Sequence, residues 1–136
     1  MARPRYRLTK ETAGVRLDAW ADDEEELLRH AAIGTLAHGL GRAPRGEAVH
    51  WHAIAPWPDD LRDRLTIVVS DALYRLCLRG EATVEVLSSP GRGYLGVVPL
   101  PPSWSLEAEV QTVAVRSLAV NRAGRLRATL MLVPAD

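Results

Sequence analysis

The sequence predicts an α+β fold in which two helices pack on one face of a mostly antiparallel β-sheet. Leu28, Ala32, Leu36 and Leu40, and later Leu61, Leu65, Val68, Ala72 and Leu76, recur at helical spacing. Val15, Leu17, Ala19 and Ala21 alternate with polar or larger residues at the period of a half-buried strand. After Gly80 the chain turns β in character, its apolar runs punctuated by turn residues. At 136 residues the chain is expected to form one domain, 1–136, with a core that needs no covalent staples.

The chain reads extended from Tyr6 to Leu8 and again from Val15 to Ala21. Asp22 followed by Glu25 is a capping-box variant, and Asp23 and Glu24 suit the positive end of the helix that Gly41 then stops. Pro44 to Gly46 forms a turn, Ala48 to Ala55 is extended, and Pro56-Trp57-Pro58 breaks that strand. Asp59 or Asp60 caps the second helix, Arg75 and Arg79 complement its negative end, and Gly80 terminates it. Strands follow at Ala82–Leu87, Tyr94–Leu100, Val110–Val120 and Leu126–Val133, the last two joined through Asn121-Arg122-Ala123-Gly124.

Seventeen basic and seventeen acidic residues cancel, which argues against a large phosphate-binding surface and against strong direct nucleic-acid binding. Alternating Arg3, Arg5 and Arg7 read as the solvent face of an edge strand. No apolar run approaches the roughly 18 residues that span a bilayer and no signal peptide opens the chain, so a soluble cytoplasmic protein is expected, with homo-oligomerisation left open. Cys77 is the sole cysteine and is expected as buried helix filler.

Several short patterns bear on chemistry. His50 and His52 share a strand face but lack a third metal ligand, and His30 and His38 are expected on the first helix's surface. Pro90-Gly91-Arg92-Gly93 reads as a β-turn, because no helix follows to complete an anion site. Ser70 adjoins Asp71 on a helix, where neighbours do not face one another, and no nucleophile, base and orienting group assemble, so no enzyme is expected. Four tryptophans and no phenylalanine is an unusual aromatic set. Trp57 and Trp104 lie in proline-containing loops, where they anchor a partner or cap the core.

The run Glu11-Thr12-Ala13-Gly14-Val15-Arg16-Leu17-Asp18-Ala19-Trp20-Ala21-Asp22, with Glu24 to Glu26 beyond it, resembles the opening of the archease family. Asp71 with Leu73-Tyr74-Arg75-Leu76 resembles that family's second helix, and Val110 to Val133 its closing hairpin. The resemblance implies an accessory factor of the RtcB-type RNA ligase, aiding guanylate loading and turnover in tRNA splicing and RNA repair. It also implies a divalent-metal site, calcium being one candidate. Carried over by position, Glu11 stands at the family's histidine and Gly14 at its first metal-binding aspartate. Asp71 keeps the helical carboxylate, Gln111-Thr112-Val113-Ala114-Val115 stands at Lys-Ala-x-Thr-Tyr, and Val133 lies near the terminal aspartate, three residues before Asp136. Glu11, Asp71 and Asp136 are therefore the remnant ligand candidates, and weak or absent metal binding is expected, since a hard cation wants several oxygen ligands. The alternative is a diverged, non-enzymatic domain with the same fold, used for small-molecule binding or as a protein-interaction module.

Overall fold

Residues 3–134 are described by the structure, a computed structural model. Strand β1 (Tyr6–Glu11) turns at Thr12-Ala13 into β2 (Gly14–Ala21), and the hairpin is in register from Tyr6 opposite Ala19 to Glu11 opposite Gly14. Helix α1 (Glu24–Leu40) follows, then β3 (His50–Ile54), helix α2 (Leu61–Arg79), the hairpin β4 (Glu81–Ser89) and β5 (Arg92–Pro99), and the hairpin β6 (Thr112–Val120) and β7 (Leu126–Val133). Class and element order are those the sequence predicts.

Where one sheet is expected, the strands divide into two, with orders β1-β2-β7-β6 and β3-β5-β4, every pairing antiparallel. The Pro- and Ser-rich segment between β5 and β6 carries the chain from one sheet to the other. Helix α1 packs against β1, β2 and β7 of the first sheet and β4 of the second, while α2 lies beside α1 and touches β3, β4 and β6. The helices thus fill the space between the sheets, and leucines 17, 28, 36, 65, 76, 95 and 130 join one continuous core fed by both. A helix apolar on one stripe can rest on one sheet, but α1 is buried around most of its circumference and needs cover on several sides.

That setting corrects the reading of the α1 histidines. His30 is 3% exposed, with Nδ1–H donating to the Trp20 carbonyl at 2.8 Å and Nε2 lying 3.1 Å from Glu26. Arg29, also buried, donates to the Val84 carbonyl and to Glu26. His38 is half-buried; loss of solvent and then the charge of Lys10 pull its pKa below the usual 6.5.

Capping follows local rules, with one shift. Asp23, not Asp22, caps α1 by accepting from the Glu26 N–H at 2.8 Å, whereas Asp22 stays exposed and receives Arg125 at 3.2 Å and Arg5 at 3.8 Å. Asp60 caps α2, and Gly41 and Gly80 close the two helices in the left-handed conformation. Cys77 is exposed rather than buried, because Leu76 takes the inward position and Cys77 lies about 100° further round the helix. Partial burial, then Glu109, push its thiol pKa up, which disfavours a reactive thiolate. No described helix is long and apolar enough to cross a membrane.

Candidate functional site

The positions singled out by the resemblance as candidate metal-site residues lie in two places. Glu11 faces Gly14 across the β1–β2 turn, and Val15 pairs with Leu132, which sets Gly14 against the end of β7. The Gln111 N–H donates to the Val133 carbonyl at 2.9 Å, so Glu11, Gly14, Gln111 and Val133 gather at one end of the first sheet. Asp71, on α2, is instead held by Arg75 at 3.4 Å, and Arg75 also reaches Glu81 at 3.8 Å. Asp136 lies outside the described residues.

The described residues of this set do not fit a divalent cation. Among the described residues, no three His, Cys, Asp or Glu side chains come together as a ligand set. Glu11 is divided between two guanidiniums, Oε2 accepting from Arg16 at 3.0 Å and Oε1 from Arg116 at 3.4 Å. A β-carbon built on Gly14 would meet the Leu132 carbonyl oxygen at 2.3 Å, and Gly14 adopts φ +155°. The backbone of β7 therefore occupies the space an aspartate side chain would enter.

A chain of charged groups runs inward from Glu11 across the sheet face that no described helix covers. Arg16, between Glu11 and Asp18, reaches the latter through Nε at 3.1 Å. Asp18 is 4% exposed and accepts from the Thr129 hydroxyl at 2.8 Å, with Arg127 at 3.8 Å. Negative charge that a cation would neutralise is met here by arginine, whose planar fork satisfies a carboxylate from several directions. Sequence reading passed over this ladder. Its signal was the alternation of Arg16, Asp18 and Trp20, which puts all three on one strand face.

The tryptophans separate by environment. Trp57 is half-buried over Gly93, with the Arg64 guanidinium 5.0 Å from its ring centre, and Arg64 is itself fixed by both carboxylate oxygens of Glu24 at 3.0 and 3.1 Å. This is a core cap built on a cation–π contact. Trp104 lines a cleft of about 740 Å³ with Arg42, Arg45, Leu100 and Glu107, within the size range of ligand and partner pockets. Trp51, not singled out from sequence, is 43% exposed on the edge strand β3, and its ring lies over Gly96. His50 and His52 flank it; His50 is exposed and His52 Nε2 lies 3.4 Å from Glu81.

No protein-family model matches the sequence, and no curated protein matches it. Solved structures do match in shape. The solution structure of a Methanobacterium thermoautotrophicum protein superposes with a TM-score of 0.67 over 96% of this chain and 100% of its own, at 14% identity. A Thermotoga maritima crystal structure described as an archease, possible chaperone, superposes with a TM-score of 0.62 over 98% of this chain and 97% of its own, also at 14% identity. In fold, the chain is archease-like.

Proposed function

We propose that this protein is a cytoplasmic, archease-like accessory protein that binds an RtcB-type RNA ligase and promotes its guanylylation in tRNA splicing or RNA repair, with neither catalysis nor a divalent-metal site of its own. The observation that carries the reading is the extent of the structural likeness, which spans nearly all of this chain and of its archease neighbour. That neighbour's description as a possible chaperone supports a protein partner. Of the two loop tryptophans expected as anchors, Trp104 is better placed, because it borders an open cleft while Trp57 is capped by Arg64. Loading of labelled guanylate onto a purified RtcB-type ligase, with and without an equimolar amount of this protein, is the direct test. A larger guanylylated fraction and repeated turnover are expected; an unchanged fraction refutes the proposal.

The obstruction at Gly14 favours a second reading, in which the fold has kept its shape and serves as an interaction or small-molecule-binding module. In that case the Trp104 cleft binds its partner while ligase guanylylation stays unchanged, and the same assay separates the two.

A further inference from the structure

The uncovered face of the β1-β2-β7-β6 sheet collects side chains that are far apart in the sequence. The Trp20 N–H donates to the Arg5 carbonyl and Trp20 pairs with Arg127, so Arg5, Trp20 and Arg127 form one row; Arg7, Asp18 and Thr129 form the next. Arg5, Arg7, Arg16, Arg116, Arg125 and Arg127 all belong to this surface, against the carboxylates of Glu11, Asp18 and Asp22. Since the whole chain is neutral, the remaining surface carries the opposite excess.

The arginines are not equally committed. Arg16 is held by Glu11 and Asp18, and Arg5 and Arg125 share Asp22 at the rim, but no ion pair engages Arg7 among the described residues. Arg127 keeps 57% of its side chain exposed, 3.8 Å from Asp18. Between these groups lies a cleft of about 480 Å³ bordered by Arg7, Trp20, Ala119, Asn121, Arg125 and Arg127. Ala119, which pairs with Arg127, has too short a side chain to fill the space beside the indole.

We propose that this face binds single-stranded nucleic acid, one base stacking on Trp20 while the guanidiniums of Arg7 and Arg127 take the adjoining phosphates. An open sheet face with an aromatic floor and a basic frame supplies what a splayed-out strand requires, a ring to stack on and fixed cations for its backbone. An acidic peptide would use the same arginines but would leave the indole without a role. The inference does not depend on the ligase reading.

Fluorescence anisotropy of a labelled ten-nucleotide RNA at about 50 mM salt tests it, because phosphate contacts are strongest at low ionic strength. Saturable binding is expected, weakened at least about tenfold by Arg7→Glu and by Arg127→Glu, and about tenfold by Trp20→Leu, the size of one lost stack. Trp20 is half-buried, so circular dichroism must show each variant folded; Arg7 is exposed and its variant decides the matter if Trp20→Leu unfolds. Absence of saturable binding, or wild-type affinity in both arginine variants, overturns the proposal. Displacement of the RNA by polyglutamate with equal affinity in wild type and Trp20→Leu also overturns it, and marks an acidic-peptide surface instead.

Discussion

Replacing Gly14 with aspartate introduces the residue type that the family resemblance implies at this position, and the structure can take it only if the end of β7 shifts. The new β-carbon would sit 2.3 Å from the Leu132 carbonyl oxygen, where real contacts stay above 3.0 Å, so β7 must recede by about 0.7 Å. A ladder hydrogen bond near 2.9 Å stretched by that amount is lost, and two such bonds at the β2–β7 end are worth roughly 2 kcal/mol. Holding a non-glycine residue near φ +155° adds about 1 kcal/mol. A total of about 3 kcal/mol corresponds to a fall in Tm on the order of 10 °C for a domain of this size. Thermal unfolding followed by far-UV circular dichroism gives the Tm, and calorimetric titration with calcium and magnesium reads any metal binding. A destabilised variant with no metal binding is expected. Wild-type Tm together with a Kd below about 100 μM for either ion would refute the reasoning, since it would mean that the strand end yields freely and that Glu11 leaves its arginines for a cation.

The other predictions concern the interactions around that site and the core. Asp18→Ala strips Arg16 of a buried acceptor and leaves the Thr129 hydroxyl unpaired, so urea unfolding is expected to show a loss of about 2 kcal/mol, with Asp18→Asn closer to wild type. Arg64→Ala removes the guanidinium over Trp57 and its link to Glu24; a loss of about 1–2 kcal/mol and a red shift in tryptophan emission are expected. His38 has its pKa lowered in the fold, so the unfolded chain takes up the proton first as pH falls below 6.5. The stability that neutral His38 maintains above pH 6.5 therefore declines through the window below it, and His38→Gln should flatten the pH dependence of Tm there. Cys77 is exposed with its thiol pKa raised, so iodoacetamide is expected to modify the native protein slowly at pH 7 and fully at higher pH without unfolding it.

What sequence could reveal here divides along the range of the forces involved. Helix α2 and its caps were legible because each signal acts on groups within a few residues of itself, Asp60 on the Asp63 N–H and the Gly80 N–H on the Arg75 and Leu76 carbonyls. At α1 both Asp22 and Asp23 are competent caps, and the choice is made by tertiary partners, since Arg5 and Arg125, which precede β1 and β7, converge on Asp22 from opposite ends of the chain. The burial of Arg29 and His30 had no periodic signature. It arises because a second sheet closes over α1, and the Val84 carbonyl that receives Arg29 lies 55 residues away. The division into two sheets is hidden for the same reason, as strand partners such as β2 and β7 are set by pairings more than a hundred residues apart.

The candidate site shows the same limit more sharply. The family resemblance pointed to Glu11, Gly14, Gln111 and Val133, which the fold gathers at one end of a sheet, and to Asp71, which it holds apart on α2 beside Arg75. A glycine at position 14 reads in the sequence only as a missing ligand atom; in three dimensions the Leu132 carbonyl fills the space a side chain there would need, and Arg16 and Arg116 hold the Glu11 carboxylate. Net charge misleads in a parallel way. A sum of zero is invariant to how charges are placed, yet β1, β2 and β7 each alternate, and stacking their outward positions in register adds arginine to arginine on one face. Electrostatic steering responds to that local field and not to the total, so a neutral chain can present a strongly basic surface, and salt dependence of binding at Arg7 and Arg127 is the property through which it would act.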